Sequence, residues 1–205
     1  MMPIINNQYY RKTDINLILA STSPYRKQLL QRLGIPFSCD SPDIDESQLP
    51  DETPEHQVLR LAEAKAARVA EREPDAIIIG SDQVAVLDGN ILGKPGNQDN
   101  ARAQLRAMSG HCVRFLTGLC LLNTASGHKQ LDCVRIDVYF RELSDRQIDR
   151  YLEAEQPYQC AGSFKSEALG ISLIERFDGP DPTALIGLPL IRLTDMLQNE
   201  NYNIP

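Results

Sequence analysis

The sequence predicts an α/β protein with a mixed β-sheet flanked by helices, and three observations carry that prediction. Two short apolar runs, Leu17–Ala20 and Ala76–Ile79, read as buried strands, with helical patterns filling the stretch between them. Two longer segments, Cys112–Leu122 and Lys129–Phe140, flank Thr124-Ala-Ser-Gly127 and read as a hairpin. Helix and strand alternate early and hairpin strands come late, the order expected of a mixed sheet. The composition agrees: of 205 residues, 42% are hydrophobic and 24% charged, so wholesale disorder is excluded.

Each element has its own local reason. Residues 1–15, opening with MMPIINNQYYRKTD, are polar and read as a flexible extension before a single domain over 16–205. After Leu17–Ala20 comes Ser21-Thr-Ser-Pro24, and Pro24 suits the first turn of a helix that carries Leu29, Leu30 and Leu33 and stops at Gly34. Ile35–Cys39 reads as a strand and Asp40–Asp51 as an acidic loop. Thr53 caps a longer helix from Pro54, whose apolar stripe takes in Val58, Leu61, Ala62, Ala66 and Val69. Ala76–Ile79 then ends at Gly80-Ser81-Asp82. A separate strand, Val84–Leu87, turns at Asp88-Gly89-Asn90 toward Gly93-Lys94-Pro95. Asp99–Met108 reads as a helix ended by Gly110, and Ser144 with Gln147 forms a capping box for a helix to about Glu155. A short strand at Ile171–Ile174 and a Pro/Gly/Asp stretch over Asp178–Pro182 follow. The last helix starts near Pro189 with Leu190, Leu193, Met196 and Leu197 on one face.

Charge and cysteine usage bound the partners. The chain carries 21 Lys plus Arg against 28 Asp plus Glu, a net −7, which argues against a nucleic-acid polymer as ligand. Five cysteines, an odd count without a Cys-x-x-Cys pair, and three histidines without metal-ligand spacing argue against a disulfide framework or zinc ribbon. No apolar leader and no membrane-length run is present, so a soluble cytoplasmic protein is expected.

Five features point to chemistry. The turn Ser21-Thr-Ser-Pro-Tyr-Arg-Lys27 places two cations in the first turn of a helix, the wrong sign for its dipole. An anion bound at the helix N-terminus would account for them; a plain Ser cap with solvated Arg and Lys is the other account. Asp82 follows a buried strand, where α/β sheets place ligands, and can hold a metal or take a proton from water; a turn-forming Asp is the alternative. Lys65 lies on the apolar stripe of its helix, either snorkelling outward or aimed into a pocket. Lys94 sits in a rigid Gly-Lys-Pro turn, and Asp45 and Glu46 offer further metal oxygens. Together these are the parts for metal-assisted cleavage of a phosphoanhydride. Neither a P-loop nor a Gly-x-Gly-x-x-Gly motif is present.

The segments LILASTSPYRKQLLQRLGIPF, Ile44-Asp45-Glu46, LRLAEAKA, IIIGSDQV, GKP, Ser109-Gly110 and IGLPL, in this order, resemble the Maf-type nucleoside triphosphate pyrophosphatases over about 17–199. The resemblance implies an inosine-triphosphatase-like fold with a central nucleotide-binding cleft, a divalent cation (Mg²⁺ or Mn²⁺), release of pyrophosphate, and a homodimer. It implies that Asp82 is the catalytic proton acceptor and shares a metal with Glu46. Ser21, Ser23, Arg26, Lys65 and Lys94 then bind phosphate, while Tyr25, Gln83 and Glu167 select the base. Pyrimidine-directed members tend to read Ser-Pro-Arg-Arg, Asp-Thr and Gly-Ser-Tyr-Gly-Ile-Gln. This chain reads Ser23-Pro-Tyr-Arg26, Asp82-Gln83 and Gly162-Ser-Phe-Lys-Ser-Glu167, and its GSFKSEALGISLIER run is similar to the branch acting on 7-methyl-GTP, which commonly has Trp at the place of Tyr25. The same reaction on dTTP or UTP is the nearer alternative, and a nucleotide-binding regulator of cell division is the non-enzymatic one. The expected picture is an acidic protein around a basic pocket formed by Arg26, Lys65 and Lys94.

Overall fold

The computed structural model describes residues 15–202 and 204. In chain order the elements are β1 (Asn16–Ala20), α1 (Pro24–Gln31), β2 (Ser38–Asp40), α2 (Pro54–Ala70), β3 (Ala76–Leu87), β4 (Asn90–Leu92), α3 (Gln98–Met108), β5 (Cys112–Asn123), β6 (Lys129–Phe140), α4 (Asp145–Glu155), β7 (Ile174–Asp178) and α5 (Leu190–Asn199), with short 3₁₀ turns at Ala161–Ser163, Leu169–Leu173 and Pro182–Ile186. The strands form one sheet in the order β2-β1-β3-β5-β6-β7, with β4 on the outer part of β3. β1 is parallel to β2 and β3, and the remaining pairs are antiparallel. Of the expected extension, residues 1–14 lie outside the described residues, and Ile15 packs against the core.

Caps start the helices where the side chains dictate. Ser23 Oγ accepts from the Arg26 N–H, Thr53 Oγ1 from that of His56 and Asn97 Oδ1 from that of Asn100. Gln147 Oε1 accepts from the Ser144 N–H at 2.9 Å, one half of the capping box.

Alternation along the strands sorts the two faces. Ile77 and Ile79 pack with Leu29, Leu30, Leu193 and Met196 of α1 and α5. Farther along the same face, Ala85, Phe115, Ile136 and Val138 pack with Leu105, Met108, Ile148 and Tyr151 of α3 and α4. The opposite face carries α2, whose Ala62, Ala66 and Val69 meet Ile78 and Cys120. Two glycines let α2 lie close: a Cβ on Gly80 would stand 2.0 Å from the Ala62 carbonyl oxygen, and one on Gly118 would stand 2.2 Å from that of Val58.

Four expectations are corrected. Ala76–Ile79 and Val84–Leu87 belong to one 12-residue strand, because residues 77–86 pair without a break with β5. Asp82 is therefore mid-strand, opposite Gly118, and not at a strand end. The expected strand at Ile171–Ile174 is mostly a 3₁₀ turn, with β7 beginning at Ile174. β2 is shorter and later than read, since Ile35 is buried in the core ahead of it.

Candidate active site

The site lies in a notch in the sheet. β1 pairs with β3 only as far as Leu19 against Ile79, and β4 joins the same edge from Ala85 onward. Between them, residues 80–84 have no strand partner on that side among the described residues. Asp82 and Gln83 point to opposite faces of the sheet, yet both border the cleft that passes through this gap. The cleft has a volume of about 490 Å³. It also sits where the connection from β1 leads outward to β2 and the next leads back to β3 by way of α2, a switch point of the kind at which α/β sheets bind ligands. Ten of the residues singled out from the sequence line it: Ser21, Ser23, Tyr25, Arg26, Glu46, Lys65, Asp82, Gln83, Lys94 and Glu167.

One wall begins at the turn from β1 to α1. The Ser23 N–H donates to Ser21 Oγ at 3.1 Å, which draws the two hydroxyls together at the helix N-terminus. Arg26 Nε donates to the Gly187 carbonyl at 2.8 Å, and Ser81 Oγ donates to the same oxygen at 2.8 Å. Gly187 has φ of +109°, and a Cβ there would lie 3.3 Å from Arg26 Nε. Its place in IGLPL thus has a physical cause, since only glycine turns this carbonyl onto the guanidinium without strain. Desolvation lowers the Arg26 pKa, opposed by the charges of Asp82 and Glu46.

The other wall is α2. Lys65 is 4% exposed and does not snorkel. Its ammonium donates to Asp82 Oδ1 at 2.6 Å and lies 2.8 Å from Glu46 Oε1. A buried ammonium is tolerated because carboxylates hold it. The Glu46 pKa is pulled in two directions: burial raises it, but the hydrogen bond to Lys65 and the charges of Lys65, Lys94 and Arg26 prevail and leave it below the ordinary value. Lys94 stands exposed at the rim. Asp45 turns away and caps its own loop, Oδ1 accepting from the Ser47 N–H at 2.9 Å.

These groups bear on a metal. Glu46 and Asp82 each keep a second carboxylate oxygen beyond the one that Lys65 holds, a hard-oxygen pair suited to Mg²⁺ or Mn²⁺. No group of three or more His, Cys, Asp or Glu fit to hold a metal ion exists among the described residues. The donor set therefore fits an ion that takes its remaining ligands from phosphate and water. The expected basic pocket needs correction. Arg26, Lys65 and Lys94 do line the cleft, but so do Glu46, Asp82 and Glu167, and the lining is balanced in charge.

Around the mouth, Tyr25 lies beside Cys160, Lys165 and Glu167; burial first, then the Cys160 thiol, raises its phenol pKa. Lys165 is held by the Glu155 carbonyl at 2.6 Å, so Glu167 is left without an ion pair among the described residues and faces the cleft. Gln83 is committed inward. Its Nε2 donates to Thr117 Oγ1 at 3.0 Å and to the carbonyls of Ala184 at 2.6 Å and Leu185 at 3.2 Å. Sequence reasoning missed Gln57, Leu61, Cys160 and Phe164, which also line the cleft. For Gln57 and Leu61 a signal existed, since both lie at helical spacing from Lys65. For Cys160 and Phe164 none did beyond nearness to Glu167.

Comparison with known proteins places the chain in a family. A family model described as Maf-like protein matches residues 16–200. A protein of Pseudomonas fluorescens named 7-methyl-GTP pyrophosphatase is 59% identical over 189 residues, covering 92% of this chain and 98% of that protein. Proteins of the same name from Pseudomonas syringae and Nitrosococcus oceani are 58% and 57% identical, covering 93% and 92% of this chain and 99% and 94% of their own. Among solved structures, the Staphylococcus aureus Ham1 protein aligns over 62% of this chain and 72% of its own, with 13% identity and a TM-score of 0.44. With a model match over nearly the whole chain and relatives this similar across it, the chain belongs to the Maf family.

Proposed function

We propose that this chain is a nucleoside triphosphate pyrophosphatase that hydrolyses 7-methyl-GTP to 7-methyl-GMP and pyrophosphate. One observation carries the chemistry: the buried Asp82 carboxylate is gripped by Lys65 within a cleft whose opposite wall holds Ser21, Ser23 and Arg26. The names of the relatives supply the substrate.

In this reading the triphosphate lies against the serine hydroxyls, the N-terminus of α1 and Arg26. Asp82 takes a proton from water as the water oxygen bonds to the α-phosphorus. The bond from that phosphorus to the α,β-bridging oxygen breaks, and pyrophosphate leaves with the electron pair. Arg26, Lys65 and Lys94 offset the developing charge. Lys65 has three N–H donors and two carboxylate partners, so one donor remains for a phosphate oxygen. A divalent cation held through Glu46 and Asp82 would, when bound, neutralise phosphate charge as a Lewis acid. At the base, N7 methylation makes guanine cationic, and the face of Tyr25 attracts such a ring by roughly 0.5–2 kcal/mol. Glu167 can accept from the N1–H and N2–H₂ edge, a donor pair thymine lacks.

The test is pyrophosphate release with Mg²⁺ or Mn²⁺ from 7-methyl-GTP, GTP, dTTP and UTP. The highest kcat/KM is expected for 7-methyl-GTP. A preference for dTTP or UTP overturns the base assignment alone, and release from none of the four overturns the reaction.

A further inference from the structure

Gln57 is 8% exposed, lines the cleft, and its Oε1 is buried without a hydrogen-bond partner among the described residues. A buried acceptor left unpaired is destabilising, so its retention in the free protein calls for a reason outside the protein's own bonding.

Its position supplies one. Gln57, Leu61 and Lys65 stand at i, i+4 and i+8 on α2, a single row about 12 Å long. Lys65 ends the row at Asp82. Gln57 ends it beside Val58, which packs with Val84 and Leu116, with Ile91 against them. That end of the α2 wall is otherwise apolar. Of the two polar side-chain atoms of Gln57 the one left unpaired is the acceptor, so what it calls for is an N–H or O–H donor. The base is assigned to Tyr25 and Glu167 on the facing side, and the phosphates to the Lys65 end. What lies between base and phosphates in any nucleotide is the sugar, whose only donors are its hydroxyls.

We infer that Gln57 is a specificity-determining residue whose Oε1 accepts a hydrogen bond from a ribose hydroxyl of the bound nucleotide. The inference rests on the nucleotide reading above and adds the sugar to it.

The experiment compares the wild type with Gln57→Leu on 7-methyl-GTP, its 2′-deoxy and 3′-deoxy analogues, and 7-methyl-ITP, which lacks the 2-amino group. In the wild type one deoxy analogue is expected to lose about tenfold in kcat/KM, chiefly through KM, and in Gln57→Leu that ratio falls to near one. Without nucleotide, Gln57→Leu is expected to raise Tm by about 2–4 °C, because the unpaired acceptor is gone. A ratio unchanged by the substitution overturns the inference while leaving the reaction intact. Loss of discrimination only against 7-methyl-ITP overturns it as well, by moving the contact to the base. Should the wild type hydrolyse none of these, calorimetry with 7-methyl-GMP and its deoxy forms replaces turnover. Equal affinities there, or no binding at all, overturn the inference too.

Discussion

Gly80→Ala tests the link between the packing of α2 and the chemistry of the cleft. An added Cβ would sit 2.0 Å from the Ala62 carbonyl oxygen and 3.0 Å from the Ala66 nitrogen, both backbone atoms of α2. No side chain can rotate away, so the helix itself must lift. Real Cβ contacts hardly ever fall under 3.0 Å, and reaching that limit needs an opening of about 1 Å. Lys65 is one turn along from Ala62, and the same displacement stretches its 2.6 Å bond to Asp82 to about 3.6 Å, outside hydrogen-bond range. Overpacking of this kind costs about 1–3 kcal/mol, and backbone crowding places Gly80→Ala at the upper end. For a chain of this size that is a Tm loss of about 4–12 °C. A misplacement of about 1 Å at a reacting group lowers kcat/KM by about 100-fold. Thermal unfolding and pyrophosphate release on the best nucleotide give both values. Gly93→Ala, where an added Cβ meets nothing within 4 Å, is the stability control and should leave Tm nearly unchanged. A Gly80→Ala protein with wild-type Tm and wild-type kcat/KM refutes the claim that close approach of α2 sets Lys65 on Asp82.

Two further outcomes follow from the same structure. Asp82→Asn should keep the fold, because Lys65 retains Glu46 at 2.8 Å and is not left as an unpaired buried charge, while kcat falls by about 10²–10⁴; circular dichroism and turnover check it, and near-normal turnover would remove Asp82 as the base. Burial pushes the Cys120 thiol up to about 12 and the Cys133 thiol up to about 11, against 9.0 ordinarily. Above about pH 9 the unfolded chain therefore loses protons that the folded one keeps, so stability is full below pH 9 and falls as pH rises toward 11–12. Tm measured at pH 8 and pH 10 should drop, and the drop should shrink in Cys120→Ala; an equal drop in both proteins assigns the alkaline loss to other groups.

The geometry of the notch explains how one strand lines both sides of the cleft. Neighbouring residues of β3 face opposite sides of the sheet, which normally separates their ligands by the thickness of the sheet. Ending β1 at Ala20 and ending the antiparallel β4 at Leu92, opposite Ala85, leaves that edge open, so Asp82 can meet α2 while Gln83 braces the Pro182–Ile186 turn.

Much was legible in the sequence because it is local. The Ser23, Thr53 and Ser144 starts of α1, α2 and α4, the apolar stripe of α2 and the hairpin at Thr124–Gly127 depend on residues a few positions apart. So did the singling out of Asp82, Lys65, Arg26 and Lys94, since unusual charges beside apolar runs stand out in one dimension. Tertiary structure decided the rest. Gly80-Ser81-Asp82 reads as a break, but pairing with β5, forty residues on, holds it as strand. Lys65 was ambiguous on its stripe until Asp82 and Glu46 met it across the fold. Gly187 lies 161 residues from Arg26, and the balance of charge in the cleft depends on which carboxylates arrive there. Local propensity and capping act within a helical turn, whereas hydrogen-bond pairing between strands, close packing and the neutralisation of buried charge act between residues that only folding brings together.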